Sequence, residues 1–150
     1  MEEMSEKKRV LFLCTGNSCR SQMAEGWLRE LYGSRFESLS AGANPAGYVN
    51  QMAVEAMAEV NIDISTQCSK HINEFLSDTA LPDIIIGVCS TAEDNCPIFP
   101  AAVERWQWPF DDPYYAEGTD DQKRDEFRRV RDEIRTRLEQ EFGSADNSSN

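Results

Sequence analysis

Long apolar stretches are missing from this chain: no run approaches the roughly 18 residues that a membrane-spanning helix needs. The opening MEEMSEKKR lacks the apolar centre of a secretory signal, so a cytoplasmic protein without membrane contact is expected. Histidine is nearly absent, His71 being alone. One histidine excludes the usual zinc spacings and supplies no dependable Cys–His dyad, so neither a metal nor a bound cofactor is expected. Of the five cysteines, Cys14 and Cys19 lie five positions apart and Cys89 and Cys96 seven, so neither is a CxxC pair. The odd number argues against a structural disulfide framework. Basic residues are scarce, with Lys+Arg 15 against Asp+Glu 27 and a net charge of -12. That balance repels phosphate backbones and disfavours nucleic acid, so an anionic substrate must be drawn in by a local field. No GxxxxGK[ST] exists either; Gly42 to Gly47 is followed by Tyr48-Val49 and lacks the phosphate-binding lysine.

What is present is 150 residues with 40% hydrophobic content, enough for one domain with a sizeable core. Residues 9–14 (RVLFLC) predict a short buried strand, and a helix follows from Ser21 to Tyr32. It stops at Gly33, a residue suited to a left-handed C-terminal cap. Residues 36–41 predict a second strand, Asn44-Pro45 a turn, and 50–59 a helix. Residues 83–89 (DIIIGVC) show no polar alternation, which predicts a strand buried on both faces of a parallel sheet. Residues 106–110 (WQWPF) give a short fourth strand. The last helix spans 120–142, with Phe127, Val130, Ile134 and Leu138 as its apolar stripe. The expected architecture is one doubly wound α/β domain over 8–142, a four-stranded parallel sheet with helices on both faces. Residues 1–7 and the polar tail 143–150 are expected to be disordered, and the protein monomeric. Ligands of such folds bind beyond the C-terminal strand ends, where Cys14 and Cys89 both fall.

The octet CTGNSCRS (14–21) joins the first strand to the first helix. Backbone N–H groups of Thr15, Gly16, Asn17, Ser18, Cys19 and Arg20 would form an anion-binding nest there. Gly16 permits φ > 0, and Asn17 is among the few other residues that tolerate it. Arg20 adds a fork for a tetrahedral oxyanion, with Cys14 at the base as nucleophile. A free cysteine, with a pKa near about 8.5, is only slightly ionised at neutral pH. The helix N-terminus, the Arg20 charge and a Ser21 hydroxyl donating to sulfur all favour the thiolate. The plain structural reading is a buried Cys14 with a solvent-facing Arg20. A leaving oxygen needs a proton, for which Asp111-Asp112-Pro113 offers two carboxyl groups; spacing alone also allows an ordinary acidic turn.

The stretch CTGNSCRSQMAEGW (14–27) closely resembles thioredoxin-coupled arsenate reductases built on the low-molecular-weight tyrosine phosphatase fold. The resemblance runs over residues 8 to 142 and recurs in SAG (40–42), CSTAEDNCPIFP (89–100), FDDP (110–113) and FRRVRDEI (127–134). It points to Asp112 as the acid and implies a relay. Cys14 attacks arsenate; Cys89 attacks Cys14, expelling arsenite and leaving a Cys14–Cys89 disulfide. Cys96 then moves it to Cys89–Cys96, which thioredoxin, or a glutaredoxin in its place, reduces. A continuous helix would hold Cys89 and Cys96 about 10 Å apart, whereas a disulfide needs under about 7 Å. The segment must therefore be looped or unwound when the bridge forms. Cys19 and Cys68 are expected to pack rather than react.

Many such relatives hold a potassium ion beside the loop, and Asn17, Glu25 and Ser40 match three of its positions. The acidic position is Lys70 here, whose ammonium could take the ion's place and pair with Glu25. Phosphate and sulfate share arsenate's shape and should compete for the loop. Tyr114 and Tyr115 after Asp112-Pro113 resemble the general-acid loop of the tyrosine phosphatases, so hydrolysis of aryl phosphates is the main alternative. A noncatalytic oxyanion-binding redox sensor is the other.

Overall fold

The computed structural model describes residues 7–77, 80–89 and 103–143. The expected disorder of 1–6 and 144–150, and the position of Cys96, lie outside the described residues. Strand β1 (Lys8–Cys14) pairs in parallel with β2 (Phe36–Gly42) and with β3 (Ile84–Gly87), and β3 with β4 (Glu104–Gln107). The order is β2-β1-β3-β4, so β1 is central and flanked on both sides. Helices α1 (Arg20–Tyr32), α2 (Gln51–Ala58) and α3 (Asp120–Phe142) complete the α/β domain.

Alternation along β1 explains its unbroken apolar run. Val10, Phe12 and Cys14 join one core with Ile84, Ile86 and all three helices, whose contributions include Met23, Met57 and the α3 row Phe127, Val130, Ile134 and Leu138. Leu11 and Leu13 point to the other face, with Ala41, Ile85 and Phe75 of the 3₁₀ turn Ile72–Phe75. A side chain fully buried this way contributes about 1.5–3 kcal/mol. No helix among the described residues is long and apolar enough to cross a membrane.

Several sequence expectations shift. The fourth strand runs over Glu104–Gln107 rather than 106–110. Trp108 N–H still donates to Gly87 O at 2.8 Å, but Pro109 has no N–H to continue the ladder. β3 ends at Gly87, leaving Cys89 beyond it. Gly33 is right-handed (φ -63°), not a left-handed cap. Its role is steric, because a Cβ there would collide with Arg29 O. Cys68 is exposed rather than packed. The 3₁₀ turn at 72–75 carries no clear periodic signal in the sequence.

Candidate active site

The octet lies between the C-terminal end of β1 and the first turn of α1, and its backbone is tied down from behind. Thr15 O accepts from Asn44 N–H (2.9 Å), Gly16 O from Ala46 N–H (2.8 Å) and Ser18 O from Asn50 N–H (2.9 Å). Asn17 O accepts from Gln22 Nε2 at 3.0 Å. In a trans peptide the carbonyl and the following N–H point opposite ways. Tying the four carbonyls outward therefore turns the N–H groups of residues 16–19 towards the cleft, an arrangement suited to an anion. The left-handed residue of the loop is Asn17 (φ 50°); Gly16 is not among the positive-φ residues. Gly42 lets the loop approach β2, since a Cβ there would lie 2.5 Å from Thr15 O and 2.9 Å from Cys14 O.

Cys14, residues Thr15 to Arg20 and Asp112 line one cleft of about 460 Å³, closed on the far side by Asn44, Pro45, Ala46, Tyr48, Tyr114 and Tyr115. The Cys14 sulfur lies at its base, 3 % exposed. Asn17 N–H donates to it at 3.3 Å, and Ser21 Oγ lies 2.9 Å away. Asn17 Nδ2 donates to Ser21 Oγ at 2.8 Å, tying the hydroxyl beside the sulfur into the loop. The Asn17 N–H and the Ser21 hydroxyl thus flank the sulfur with polar groups.

Arg20 is buried, not solvent-facing. Its Nη1 donates to Val88 O (3.3 Å) and Phe110 O (3.0 Å), and its Nη2 to Asp112 Oδ2 (3.2 Å). The two aspartates separate clearly. Asp112 faces Arg20 and accepts from Tyr114 N–H, whereas Asp111 is exposed and pairs with Arg129 Nη2 at 3.1 Å.

Cys89 is fully buried. The β1–β3 register Leu13↔Gly87 sets Val88 beside Cys14 and Cys89 one position further. Strict alternation would send Cys89 to the opposite face from Ile84, Ile86 and Val88, yet it joins their core, the one containing Cys14. The chain thus turns after Val88 towards the nucleophile's side.

Behind the loop, Asn17 Nδ2 also donates to Ser40 Oγ (2.9 Å), and Asn17 Oδ1 accepts from Lys70 N–H (2.7 Å). Ser40 Oγ in turn donates to Glu25 Oε1 at 2.5 Å. Burial raises the Glu25 carboxyl above its ordinary range, opposed by the Ser40 bond and by Lys70 and Arg29. Lys70 Nζ stands 3.8 Å from Glu25 Oε1 and donates to Cys68 O at 2.6 Å. An ammonium so placed does not fit a cation site at these residues, and among the described residues no cluster of three His, Cys, Asp or Glu could hold a metal ion. The Cys19 thiol is pushed up to about 12, chiefly by burial, despite a contact with Ser18.

Sequence reasoning missed the outer wall. Asn44-Pro45 signalled a turn, but nothing local shows that this turn closes a cleft and pins the loop. Gln22, polar and buried within the apolar face of α1, was also passed over.

Over residues 9–148 the sequence matches the family model "Low molecular weight phosphotyrosine protein phosphatase". It is 52% identical to the arsenate reductase of Halalkalibacterium halodurans over 88% of this chain and 93% of that protein. Identity to the arsenate reductase of Bacillus subtilis is 48%, over 90% and 95%. Among solved structures, an arsenate reductase in a phosphate-binding state superposes with a TM-score of 0.69 at 34% identity, covering 89% of this chain and 95% of that one. A thioredoxin-dependent arsenate reductase of Corynebacterium glutamicum gives 0.63 at 26%, covering 92% and 63%. With a parallel four-stranded sheet and about half of the aligned residues identical to the Halalkalibacterium and Bacillus arsenate reductases, the chain belongs to the low molecular weight phosphotyrosine protein phosphatase family and, within it, to the arsenate reductases.

Proposed function

We propose that this enzyme reduces arsenate to arsenite through a relay of Cys14, Cys89 and Cys96, recycled by thioredoxin. Arsenate enters the loop of residues 15–20, where N–H groups and Arg20 neutralise its charge. The Cys14 thiolate attacks arsenic, and Asp112 gives its proton to the departing oxygen, which leaves as water. The Cys89 thiolate then attacks Cys14 sulfur. The sulfur–arsenic bond breaks with its electron pair going to arsenic, so arsenic(V) leaves as arsenite while two thiols become the Cys14–Cys89 disulfide. Cys96 attacks Cys89, freeing Cys14, and a dithiol of thioredoxin reduces the Cys89–Cys96 bridge.

The observation that carries this reading is the buried Cys89 just past the end of β3, in the core that also holds Cys14, because ester hydrolysis has no use for a second thiol. Dependence on thioredoxin in the Corynebacterium relative supports the final step, and phosphate in another relative supports the oxyanion loop. Lys70 replaces potassium as the charge partner of Glu25, so activity is independent of that ion. A second reading, aryl phosphate hydrolysis, is favoured by the exposed Tyr48, Tyr114 and Tyr115 at the cleft mouth. NADPH oxidation coupled through thioredoxin and its reductase tests the proposal. Arsenate-dependent turnover is expected; hydrolysis of an aryl phosphate without it would overturn the reading in favour of the phosphatase.

A further inference from the structure

Gln22 is fully buried at the start of α1, and every polar atom of its side chain is engaged. Nε2 donates to Asn17 O (3.0 Å) and to Cys68 O (2.8 Å), while Oε1 accepts from Gln67 Nε2 (2.8 Å). Gln67 Nε2 also donates to Gln22 O (3.1 Å), and Gln67 Oε1 accepts from Arg29 Nη1 at 2.7 Å. The two ends leave this chain one polarity. Arginine can only donate and a backbone carbonyl can only accept. Arg29 therefore fixes which end of the Gln67 amide is oxygen, Gln67 fixes Gln22, and Gln22 must present N–H to Asn17 O.

That last bond matters for the anion loop. Asn17 is its left-handed residue, and its carbonyl is the only one of the four (15–18) held by a side chain alone. Fixing the carbonyl of residue 17 fixes the opposite-pointing N–H of Ser18, and it holds the turn whose own N–H reaches the Cys14 sulfur. We propose that Gln22, held in one amide orientation by the carbonyls of Asn17 and Cys68 and matched by Gln67 and Arg29, is a positioning residue that sets the inward N–H groups of the oxyanion loop. This rests on the oxyanion-binding part of the proposed function, not on the thiol relay.

The test reverses polarity at Gln67, which is half-buried, outside the cleft and away from the reacting atoms. Gln67→Glu keeps an acceptor for Arg29 but offers only oxygen to Gln22. The Gln22 amide then meets oxygen whichever way it turns: as it stands its Oε1 faces the new carboxylate, and flipped its oxygen faces Asn17 O and Cys68 O. Gln67→Met offers nothing to Gln22 and leaves it free to keep both carbonyls. Sulfate binding to the reduced full-length chain is measured by calorimetry, alongside KM and kcat for arsenate. Gln67→Glu is expected to weaken sulfate about tenfold, the equivalent of about 1.4 kcal/mol. KM for arsenate should rise in step while kcat stays within about twofold, and Gln67→Met should stay within about twofold of wild type throughout. A Gln67→Glu protein that binds sulfate like wild type, or a Gln67→Met protein weakened as much, overturns the inference. Wild type that binds sulfate but never reduces arsenate would remove the proposed function and leave this comparison standing.

Discussion

Replacing Lys70 by methionine removes the ammonium 3.8 Å from Glu25 Oε1 and keeps most of its apolar stem. At that distance and an effective dielectric near 20, two unit charges attract by about 4 kcal/mol. Rehydration of the lost ammonium, and Arg29, whose Nη1 stays 3.9 Å from Glu25 Oε2, offset roughly half of that. The net loss is about 2 kcal/mol at neutral pH, or about 4–8 °C in Tm for a domain of this size. The pH dependence is the sharper signature. Burial already raises the Glu25 carboxyl, so folding takes up a proton as pH falls. Its contribution to stability is therefore complete below the unfolded value, near about 4.3, and is lost as pH rises through the folded value. Removing Lys70 raises the folded value further. The penalty of Lys70→Met should be full at pH 8 and fade as pH falls through the folded value and below about 4.3, as Glu25 becomes neutral with or without its partner. Urea unfolding at several pH values measures this directly. An equal loss at every pH, or none at pH 8, would refute the pairing. So would a large stabilisation of the wild type by potassium that sodium does not match.

Asp112→Asn should lower kcat for arsenate by about 10²-fold or more, the usual worth of a general acid. Asp111→Asn, which loses only an exposed pair with Arg129, should leave it nearly unchanged in the same steady-state assay. With its thiol pushed up to about 12, Cys19 should be alkylated by iodoacetamide at pH 8 more slowly than the exposed Cys68, as read by peptide mass mapping. Gly42→Ala sets a methyl group against backbone oxygens of Thr15 and Cys14, so it should cost about 1–3 kcal/mol in urea unfolding and weaken phosphate binding measurably.

Most of the framework was legible because it rests on local patterns. The apolar runs of β1 and β3 and the stripe of α3 each record their own burial, and α3 runs from 120 to 142 as its periodicity and the Thr119 capping box dictate. The octet likewise read as a strand–loop–helix junction, since the strand, the loop and the helix start are contiguous. What stayed illegible depends mostly on contacts across long separations, Gly33 being a local exception. Gly33 reads as a left-handed cap by residue type, yet the nearby Arg29 carbonyl is what demands glycine. The choice between Asp111 and Asp112 needed Arg20 and Arg129, which lie far apart in sequence. Gln22 and Gln67 are 45 positions apart and match no spacing rule; their meaning comes only from the hydrogen-bond chain they share. Cys68 looked like core filler by composition, but no apolar periodicity around it required burial.

The central claim is the thiol relay, and Cys96→Ser tests it most directly. The variant is given excess arsenate and thioredoxin, then mapped by non-reducing peptide mass spectrometry with arsenite counted. One arsenite per chain and a trapped Cys14–Cys89 disulfide are predicted. Repeated thioredoxin-dependent turnover, or arsenite release with Cys89 still a free thiol, would contradict the account.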